Sequence, residues 1–290
     1  MTKYKSVYNK HILGFEKYYY KGKGQITFTG LTIEWFDNFK NFLTDIQDLN
    51  NNSANKTFAT FKIFLIWATL REYNHNHKFQ GINNIGVYKP SKFALTQEEF
   101  LKILNIDLKK NKSLEEIRDL FVFQVGSGQR YSDLRKIQHG EINNGIWVLR
   151  QKKQNTNPVS VPLPDFCIEI LNKYKYNSVP LPVKSLQKVN RGLKRLAKQI
   201  PLNRIVENFR KSGNKIESGS NAIYDVISTH TARRTNVTLS MEMNIKKEIA
   251  MAVTNHKKSS MFDEYNKTNM AQASKQYVDT WNNKFSKNQV

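Results

Sequence analysis

The sequence predicts a mainly α-helical protein with a small antiparallel β-sheet. Apolar residues recur at spacings of three and four through most of the first 90 positions, which is typical of helices with one buried face. Two helix-capping boxes follow, and residues 145–163 have β-branched and aromatic flanks around a polar turn, as in a β-hairpin. Hydrophobic residues make up 39% of the 290 positions and aromatic residues 12%, so the chain can form a real core.

Three helices are predicted in the first 80 residues. The second can begin at Thr32 and the third at Ser53, because a hydroxyl there can accept from a free backbone N–H of the first turn. We interpret the aromatic stripes of all three helices as core. The residues expected to face inward are Tyr4, Val7, Tyr8, Ile12, Phe15, Tyr18 and Tyr19, then Trp35, Phe36, Phe39, Leu43 and Ile46, then Phe58, Phe61, Phe64, Leu65 and Ala68.

A domain boundary is expected near residues 79–95, FQGINNIGVYKPSKFAL. This segment has two glycines, a proline and no periodicity. The predicted division is a helical domain over residues 1–80, a linker over 81–95 and a larger domain over 96–290.

The larger domain is predicted to be mostly helical with one short sheet. Thr96 with Glu99, and Ser113 with Glu116, form capping boxes that each mark the start of a helix. Further helices are predicted at DFCIEILNKY, at LQKVNRGLKRLAKQI and from Thr231 to the end.

The charge indicates a polyanionic partner. Lysine and arginine outnumber acidic residues to give a formal charge of +22, spread along the whole chain, and nucleic acid is the commonest partner for such a protein. Lysines on the outer faces of the first helices are better candidates for its contacts than the aromatic stripes. No apolar run approaches the roughly 18 residues of a membrane-spanning helix, so no membrane partner is expected.

The compartment predicted from the sequence is a reducing cytoplasm. The first ten residues, MTKYKSVYNK, contain no apolar signal core. Cys167 is the single cysteine, so it cannot form an internal disulfide. No Cys/His cluster has the spacing of a zinc site, and no metal is expected.

Several cationic residues are weak signals when taken singly. Arg130, in GSGQRYSDL, lies where one helix ends and another begins, and its simplest interpretation is a helix-end salt bridge with Asp133. His230 and Arg233 share one helical face and could point at a single anion. The adjacent lysines 152 and 153 lie at the hairpin bend, where a solvated turn would be unremarkable.

Together, these segments resemble the tyrosine recombinases, a family that includes the phage integrases. GQRYSDL resembles the box that carries the first catalytic arginine, and HTARRTNVTL resembles the histidine–arginine box. Arg233 and His256 are 23 residues apart, and His256 and Tyr265 are nine apart, as in the family. The resemblance spans roughly residues 96–270 and is closest to integrases of mobile elements in Bacteroides-like bacteria.

The resemblance implies a two-domain architecture and a catalytic set. Residues 1–80 correspond to a SAM-like core-binding domain, and 96–290 to a catalytic domain that ends in a helix which docks on a neighbouring protomer, through the row Ala273, Tyr277, Trp281 and Phe285. The implied catalytic residues are Arg130, Lys153, His230, Arg233, His256 and Tyr265. The reaction cleaves and rejoins DNA through a 3′-phosphotyrosyl bond, which stores the bond energy, so no metal or nucleotide cofactor is required.

Two features depart from the family pattern. Thr254 and Asn255 stand where leucine and glycine usually precede the second histidine, and we expect Asn255 to adopt the left-handed conformation that glycine permits. The hairpin is about one residue longer than usual, so Lys152 competes with Lys153 for the lysine role, and we favour Lys153.

Two alternatives remain beside a site-specific recombinase. Type IB topoisomerases use the same groups to relax DNA, and a DNA-binding regulator could have lost catalysis. A separate core-binding domain favours a recombinase over the first, and the six filled catalytic positions argue against the second. The partners expected are double-stranded DNA, further copies of the chain in a synaptic tetramer, and an excision or DNA-bending factor. Many integrases also carry an N-terminal arm-binding domain, and no segment here resembles one.

Overall fold

The chain divides into two compact units. The computed structural model describes residues 3–89, 92–149, 158–256 and 259–263. The first unit consists of Met1–Ser91 and Glu207–Ser220, and the second of Lys92–Val206 and Asn221–Val290. Each unit has its own hydrophobic core.

The first unit is built from three helical segments. The first segment runs through α1 (Lys3–Val7), a π-helical turn (Tyr8–Ile12) and α2 (Leu13–Tyr20). The second comprises α3 (Ile33–Asn41) and another π turn (Phe42–Ile46), and the third is α4 (Asn51–Thr69). A short 3₁₀ helix at Lys78–Gly81 follows.

The two predicted helix starts in this unit have different outcomes. Thr32 caps α3, because its side chain accepts from the backbone N–H of Trp35 at 3.1 Å, as predicted. The prediction of Ser53 as a cap is wrong. Asn50 caps α4 instead, and its side chain accepts from the N–H of Ser53 itself at 3.0 Å.

The core of the first unit is aromatic. Phe15 packs edge-on against Trp35, with ring centroids 5.1 Å apart, and also contacts Phe39 at 5.2 Å. Most residues expected to face inward in α3 and α4 are buried. The expectation is wrong for six residues that are exposed: Tyr4, Tyr8, Tyr18, Tyr19, Ile46 and Phe64.

The π turns explain part of this error. A π turn adds a residue to the helical repeat and so rotates the apolar stripe. Tyr4 and Tyr8 precede or begin the first π turn and Ile46 ends the second, so they leave the face predicted from a regular repeat. Tyr18 and Tyr19 touch the core with their rings and remain exposed over the rest of the side chain.

A second β-hairpin, which the sequence did not predict, supplies the remainder of the first unit. Strands β4 (Ile205–Ser212) and β5 (Lys215–Ala222) form a two-stranded sheet. Gly213, at the first turn position, has φ +56°, as a two-residue type II′ turn requires. The strands are mostly polar and partly exposed, so they lack the apolar alternation that identifies a half-buried strand.

The second unit begins with two helices. Helix α5 (Gln97–Asn105) starts with the predicted Thr96–Glu99 capping box. Helix α6 (Lys112–Ser127) is capped by Asn111, whose side chain accepts from Leu114 N–H at 3.2 Å, so the Ser113 box is wrong. Helix α6 is buried along most of its length and contacts α5, α8 (Asp165–Lys173), α9 (Leu186–Gln199) and α11 (Thr229–Glu242).

The predicted hairpin in this unit is confirmed at its strands. Strand β2 (Ile146–Leu149) pairs antiparallel with β3 (Val159–Pro162), with Trp147 opposite Val161, and β1 (Ile142–Asn143) flanks β2. Its bend, with Lys152 and Lys153, lies outside the described residues. The remaining helices are the short α7 (Tyr131–Leu134) and α10 (Ile223–Val226), then α12 (Lys247–Thr254) and α13 (Ser259–Asp263). Within the described parts of the chain, none of the helices has the length and apolarity needed to cross a membrane.

Candidate active site

A buried arginine lies at the centre of the predicted site. Arg233 is on α11, five residues after the cap Ser228, and only 2% of its side chain is exposed. Its Nη1 donates to the carbonyl of Gly128 at 2.8 Å, and its Nη2 lies 3.1 Å from His256 Nε2 and 3.3 Å from His256 Nδ1. The guanidinium is therefore fixed by contacts on two sides, as the recognition of a phosphate requires.

The carbonyl that holds Arg233 belongs to a turn that needs glycine. Gly128 ends α6 in the left-handed conformation, with φ +66°. A Cβ at this position would lie 2.6 Å from Asn236 Oδ1 and 2.7 Å from Thr254 Cγ2. Because backbone conformation and space both exclude a side chain, α6 can approach α11 and the end of α12 closely only with glycine here.

Gln129 ties this turn to α12. Its side chain is fully buried, and its Nε2 donates to the carbonyls of Ser127 at 3.0 Å and Val253 at 2.6 Å. Asn236 ties the same turn to α11 by donating to the Val125 carbonyl at 2.7 Å. Neither residue is predicted from the sequence, because the partners are carbonyls more than 100 positions away and leave no local signal.

Arg130 follows this turn, and it faces solvent. It precedes α7 as its N-cap, and its own side chain is exposed. Within the described chain no ion pair joins it to Asp133, whose buried Oδ2 has no hydrogen-bond partner, so the simple salt-bridge interpretation is wrong. Its positive charge contributes to lowering the pKa of both His230 and His256.

His256 follows a helix end that departs from the family pattern. Asn255 adopts φ +51° and ψ +51°, so the expected left-handed conformation is confirmed. The His256 N–H donates to the Met251 carbonyl at 2.9 Å, and the imidazole packs edge-on against Phe262 with centroids 5.5 Å apart. Thr254 Oγ1 lies 2.7 Å from His256 Nδ1.

The two histidines are neutral near pH 7. Burial, followed by the charges of Arg233 and Arg130, lowers the pKa of His256 to about 4. The pKa of His230 is lowered by partial loss of hydration and then by Arg234 and Arg233. A neutral His230, whose side chain reaches the surface, can accept a proton.

The structure brings together Arg130, His230, Arg233 and His256. The other two predicted site residues, Lys153 and Tyr265, lie outside the described residues, as do Lys152 and the row Ala273, Tyr277, Trp281 and Phe285. Across the described residues, no group of three or more histidine, cysteine or acidic side chains could hold a metal ion.

Two other tyrosines, Tyr131 and Tyr224, contact neighbouring residues of the fold. Tyr131, next to Arg130, is buried, and its hydroxyl donates to the Lys184 carbonyl at 2.7 Å. Burial raises the pKa of Tyr131 above that of an ordinary tyrosine, which makes Tyr131 a poorer nucleophile. Lys198 lies over the ring of Tyr224, 5.2 Å from its centroid.

Comparison with sequence families identifies the class of protein. A phage integrase family model matches residues 94–272, and a phage integrase SAM-like domain model matches residues 1–86. The first match covers more than half of the chain, so the chain belongs to the phage integrase family and is a tyrosine site-specific recombinase. The resemblance drawn from the sequence boxes is confirmed. A search of curated protein sequences returned no match.

Three solved structures share the fold. A lambda integrase dimer bound to a COC′ core site is 20% identical, with a TM-score of 0.65 over 92% of this chain and 90% of that chain. A Tn1549 transposon integrase in complex with circular intermediate DNA is 10% identical, with a TM-score of 0.65 over 96% and 94%. XerH recombinase bound to palindromic difH substrate is 14% identical, with a TM-score of 0.66 over 94% and 78%. These matches confirm the mainly α, two-domain recombinase fold.

Proposed function

We propose that this recombinase is the integrase of a mobile genetic element and that it cleaves and rejoins double-stranded DNA through a 3′-phosphotyrosyl intermediate. The observation that carries the proposal is the buried Arg233, fixed by the Gly128 carbonyl and His256, with Arg130 and His230 nearby. The lambda integrase, Tn1549 integrase and XerH structures, which contain DNA, support the choice of substrate.

In this proposal the two arginines hold the phosphate. Negative charge grows on the non-bridging oxygens in the transition state, and forked guanidinium donors stabilise it better than a single ammonium group. Arg233 is held rigidly inside the protein, while Arg130 is exposed and free to meet the DNA backbone. The family resemblance assigns His256 a further hydrogen bond to the same phosphate.

Tyr265 is the proposed nucleophile and His230 its proton acceptor. A phenol with a pKa of about 10 is almost entirely protonated near pH 7, so attack on phosphorus needs a base or a strongly positive site. A neutral His230 next to Arg233 supplies both. The tyrosine oxygen bonds to phosphorus, its proton passes to the imidazole, and the 5′-oxygen leaves as a hydroxyl.

Lys153 is the proposed donor of the proton that the 5′-oxygen takes up. An alkoxide leaves poorly, so this oxygen requires a general acid. The family resemblance assigns this role to a lysine on the hairpin between β2 and β3, and Lys152 is the competing candidate.

The proposal also assigns a role to each domain and an assembly of several copies of the chain on DNA. Residues 1–80 would form the core-binding domain, 81–95 the linker and 96–290 the catalytic domain with its docking helix. A lambda integrase tetramer bound to a Holliday junction supports a synaptic tetramer of this chain on DNA. The tetramer would work with an excision or DNA-bending factor at the bacterial nucleoid, in the cytoplasm.

Covalent trapping tests this function. The protein would first select its binding site from a randomised duplex pool. The selected duplex would then carry a nick beside the cleavage position, so that the short 5′ end diffuses away and religation stops. We expect a labelled protein–DNA adduct on a denaturing gel, with chelator present and no nucleotide added. Free cleaved ends without an adduct would contradict the proposal.

A further inference from the structure

Two buried glutamines lie at the end of helix α6, and their hydrogen-bond partners differ. Gln124 is 2% exposed, and Gln129 is fully buried. Gln124 Nε2 donates to the Gln129 carbonyl at 3.0 Å, so its contact stays within the turn. Gln129 Nε2 donates to the Ser127 carbonyl at 3.0 Å and to the Val253 carbonyl, on α12, at 2.6 Å. Within the described chain, only Gln129 of this pair joins the turn to another helix.

The bridge made by Gln129 joins the C-terminal ends of two helices. The C-cap of α6 is Gly128 and that of α12 is Asn255, and both residues are left-handed, with φ +66° and +51°. The last carbonyls of a helix have no donor from the helix itself, and together they carry a partial negative charge. Two such ends repel each other unless a donor lies between them. The Gln129 amide has two N–H groups and contacts a carbonyl of each end.

The need to fill space does not explain a glutamine at this position. Gln129 Oε1 is buried and has no hydrogen-bond partner among the described residues. A buried acceptor without a partner is unfavourable, so an apolar side chain of similar length would fill the same space at less cost. Both partners of Nε2 are carbonyls, which only accept, so exchanging the N and O atoms of the amide would lose both contacts. The amide is therefore explained by its donors.

The two helix ends carry candidate active-site residues. Arg130 directly follows Gln129, and the carbonyl of the residue before Gln129 accepts from Arg233 at 2.8 Å. His256 lies three positions beyond Val253, just past the end of α12. One amide thus connects the backbone that carries Arg130 and holds Arg233 to the backbone that carries His256.

We propose that Gln129 is a positioning residue for DNA cleavage, which joins the ends of α6 and α12 and so holds the two arginines and His256 in a single geometry around the scissile phosphate. The step to the phosphate rests on the proposed function, whereas the bridge in the DNA-free protein does not. A displacement of such groups by about 1 Å can cost about 10²-fold in rate. The competing interpretation is that Gln129 only completes the end of α6, as Gln124 does.

Hydrogen exchange in the DNA-free protein tests the bridge. Gln129→Met has a similar length and lacks the amide. Gln124→Met is the matched control, because Gln124 is also buried and its Oε1 also has no partner in the described chain. In Gln129→Met, the backbone N–H groups at the end of α12, that of His256 among them, should exchange about tenfold faster, the scale of one lost hydrogen bond. In Gln124→Met they should exchange at the native rate. Equal exchange at the end of α12 in the two variants would overturn the bridge.

Adduct formation on nicked site DNA tests the positioning role. With DNA at saturating concentration, Gln129→Met should form the adduct about 10- to 100-fold more slowly, while its DNA affinity stays within about twofold of the native value. Gln124→Met should match the native protein in both measurements. An equal decrease in rate for the two variants, or a loss of affinity that accounts for the slower reaction of Gln129→Met, would overturn the proposal.

A second substitution decides the question if Gln129→Met does not fold. Gln129→Asn keeps the amide but is one methylene shorter, so it cannot reach the carbonyls of Ser127 and Val253 together. It should show the same slow reaction at native DNA affinity, and a native rate would overturn the proposal. A native protein that forms no adduct on any selected DNA would contradict the recombinase function and with it the positioning role, while the exchange result would stand.

Discussion

The core of the first unit and the candidate active site of the second unit are held together by different interactions. In the first unit, Phe15, Trp35 and Phe39 pack ring against ring, with centroids 5.1–5.4 Å apart. In the second unit, Arg233 and Gln129 are fixed by hydrogen bonds, among them those to the carbonyl oxygens of Gly128 and Val253. Apolar packing tolerates changes of shape that preserve volume, whereas a buried polar group loses its partner if one atom moves.

The difference matches the tasks of the two regions. Contact area stabilises a domain in many alternative arrangements of similar side chains. Phosphate chemistry needs donors at fixed positions, since a displacement of about 1 Å can cost two orders of magnitude in rate. Substitutions that alter single atoms should therefore have larger effects around Arg233 than in the first unit.

The largest effect is expected from Arg233→Lys. Lysine keeps the charge but cannot contact the Gly128 carbonyl and His256 together with forked donors. Adduct formation should fall by about 10²–10³, the usual cost of one lost transition-state donor. Arg210→Lys in the first unit is the matched control, because Arg210 is paired at the surface with Asp48. If the single-turnover rates of adduct formation agreed within twofold for these two variants, the proposed difference between the two regions would be contradicted.

The next largest difference between the two regions is expected when a glycine in each is replaced by alanine. Gly128→Ala meets both a left-handed φ of +66° and atoms within 2.7 Å, so the free energy of unfolding should fall by about 2–4 kcal/mol. Gly22→Ala in the first unit has φ +78° but nothing within 4 Å, so its cost should be about 1 kcal/mol. Denaturant titrations of the two variants measure both values, and equal losses would show that crowding at Gly128 is unimportant.

The polar site should also be sensitive to acid. The pKa of His256 is about 4 in the folded protein and 6.5 ordinarily, so the unfolded chain binds more protons between these values. Stability should fall as pH decreases through this window, by up to about 3 kcal/mol from His256. His256→Gln should lose correspondingly less stability from pH 7 to pH 4. Parallel stability curves for the two proteins would mean that His256 titrates normally.

The smallest effect concerns a helix cap in the first unit. Asn50→Ala should lower the free energy of unfolding by about 1 kcal/mol, because it removes the acceptor for the Ser53 N–H. Ser53→Ala should change it by a few tenths at most, since Ser53 is inside the helix. If thermal melts showed a larger loss of stability for Ser53→Ala than for Asn50→Ala, Ser53 would be the cap.

The sequence predicts features that depend on neighbouring residues. Helix periodicity, the Thr32 and Thr96 caps and the strands β2 and β3 are local, and the structure confirms each of them. The predicted helix caps were wrong where a second residue nearby could also cap the helix. Asn50 and Asn111 precede the serines chosen as caps, and both asparagines accept from the first helical turn instead.

Features set by tertiary contacts were harder to predict. The π turns displaced Tyr4, Tyr8 and Ile46 from the core, and the polar hairpin β4–β5 carried no apolar pattern. In the site, the boxes identified Arg130 and Arg233 through a family spacing. They gave no indication of the roles of Gln129 and Asn236, whose partners are carbonyls that only the fold brings near.

The central claim is that the cluster around Arg233 serves attack by Tyr265 on a DNA phosphate. The direct measurement is denaturing electrophoresis of Tyr265→Phe mixed with end-labelled nicked site DNA. Tyr131→Phe, Tyr224→Phe and Tyr277→Phe are the matched controls. The substitution removes one oxygen and keeps the ring, so DNA binding should persist while the adduct disappears in Tyr265→Phe alone. An adduct that survives in Tyr265→Phe would contradict the account, and peptide mapping would then identify the tyrosine that carries the phosphate.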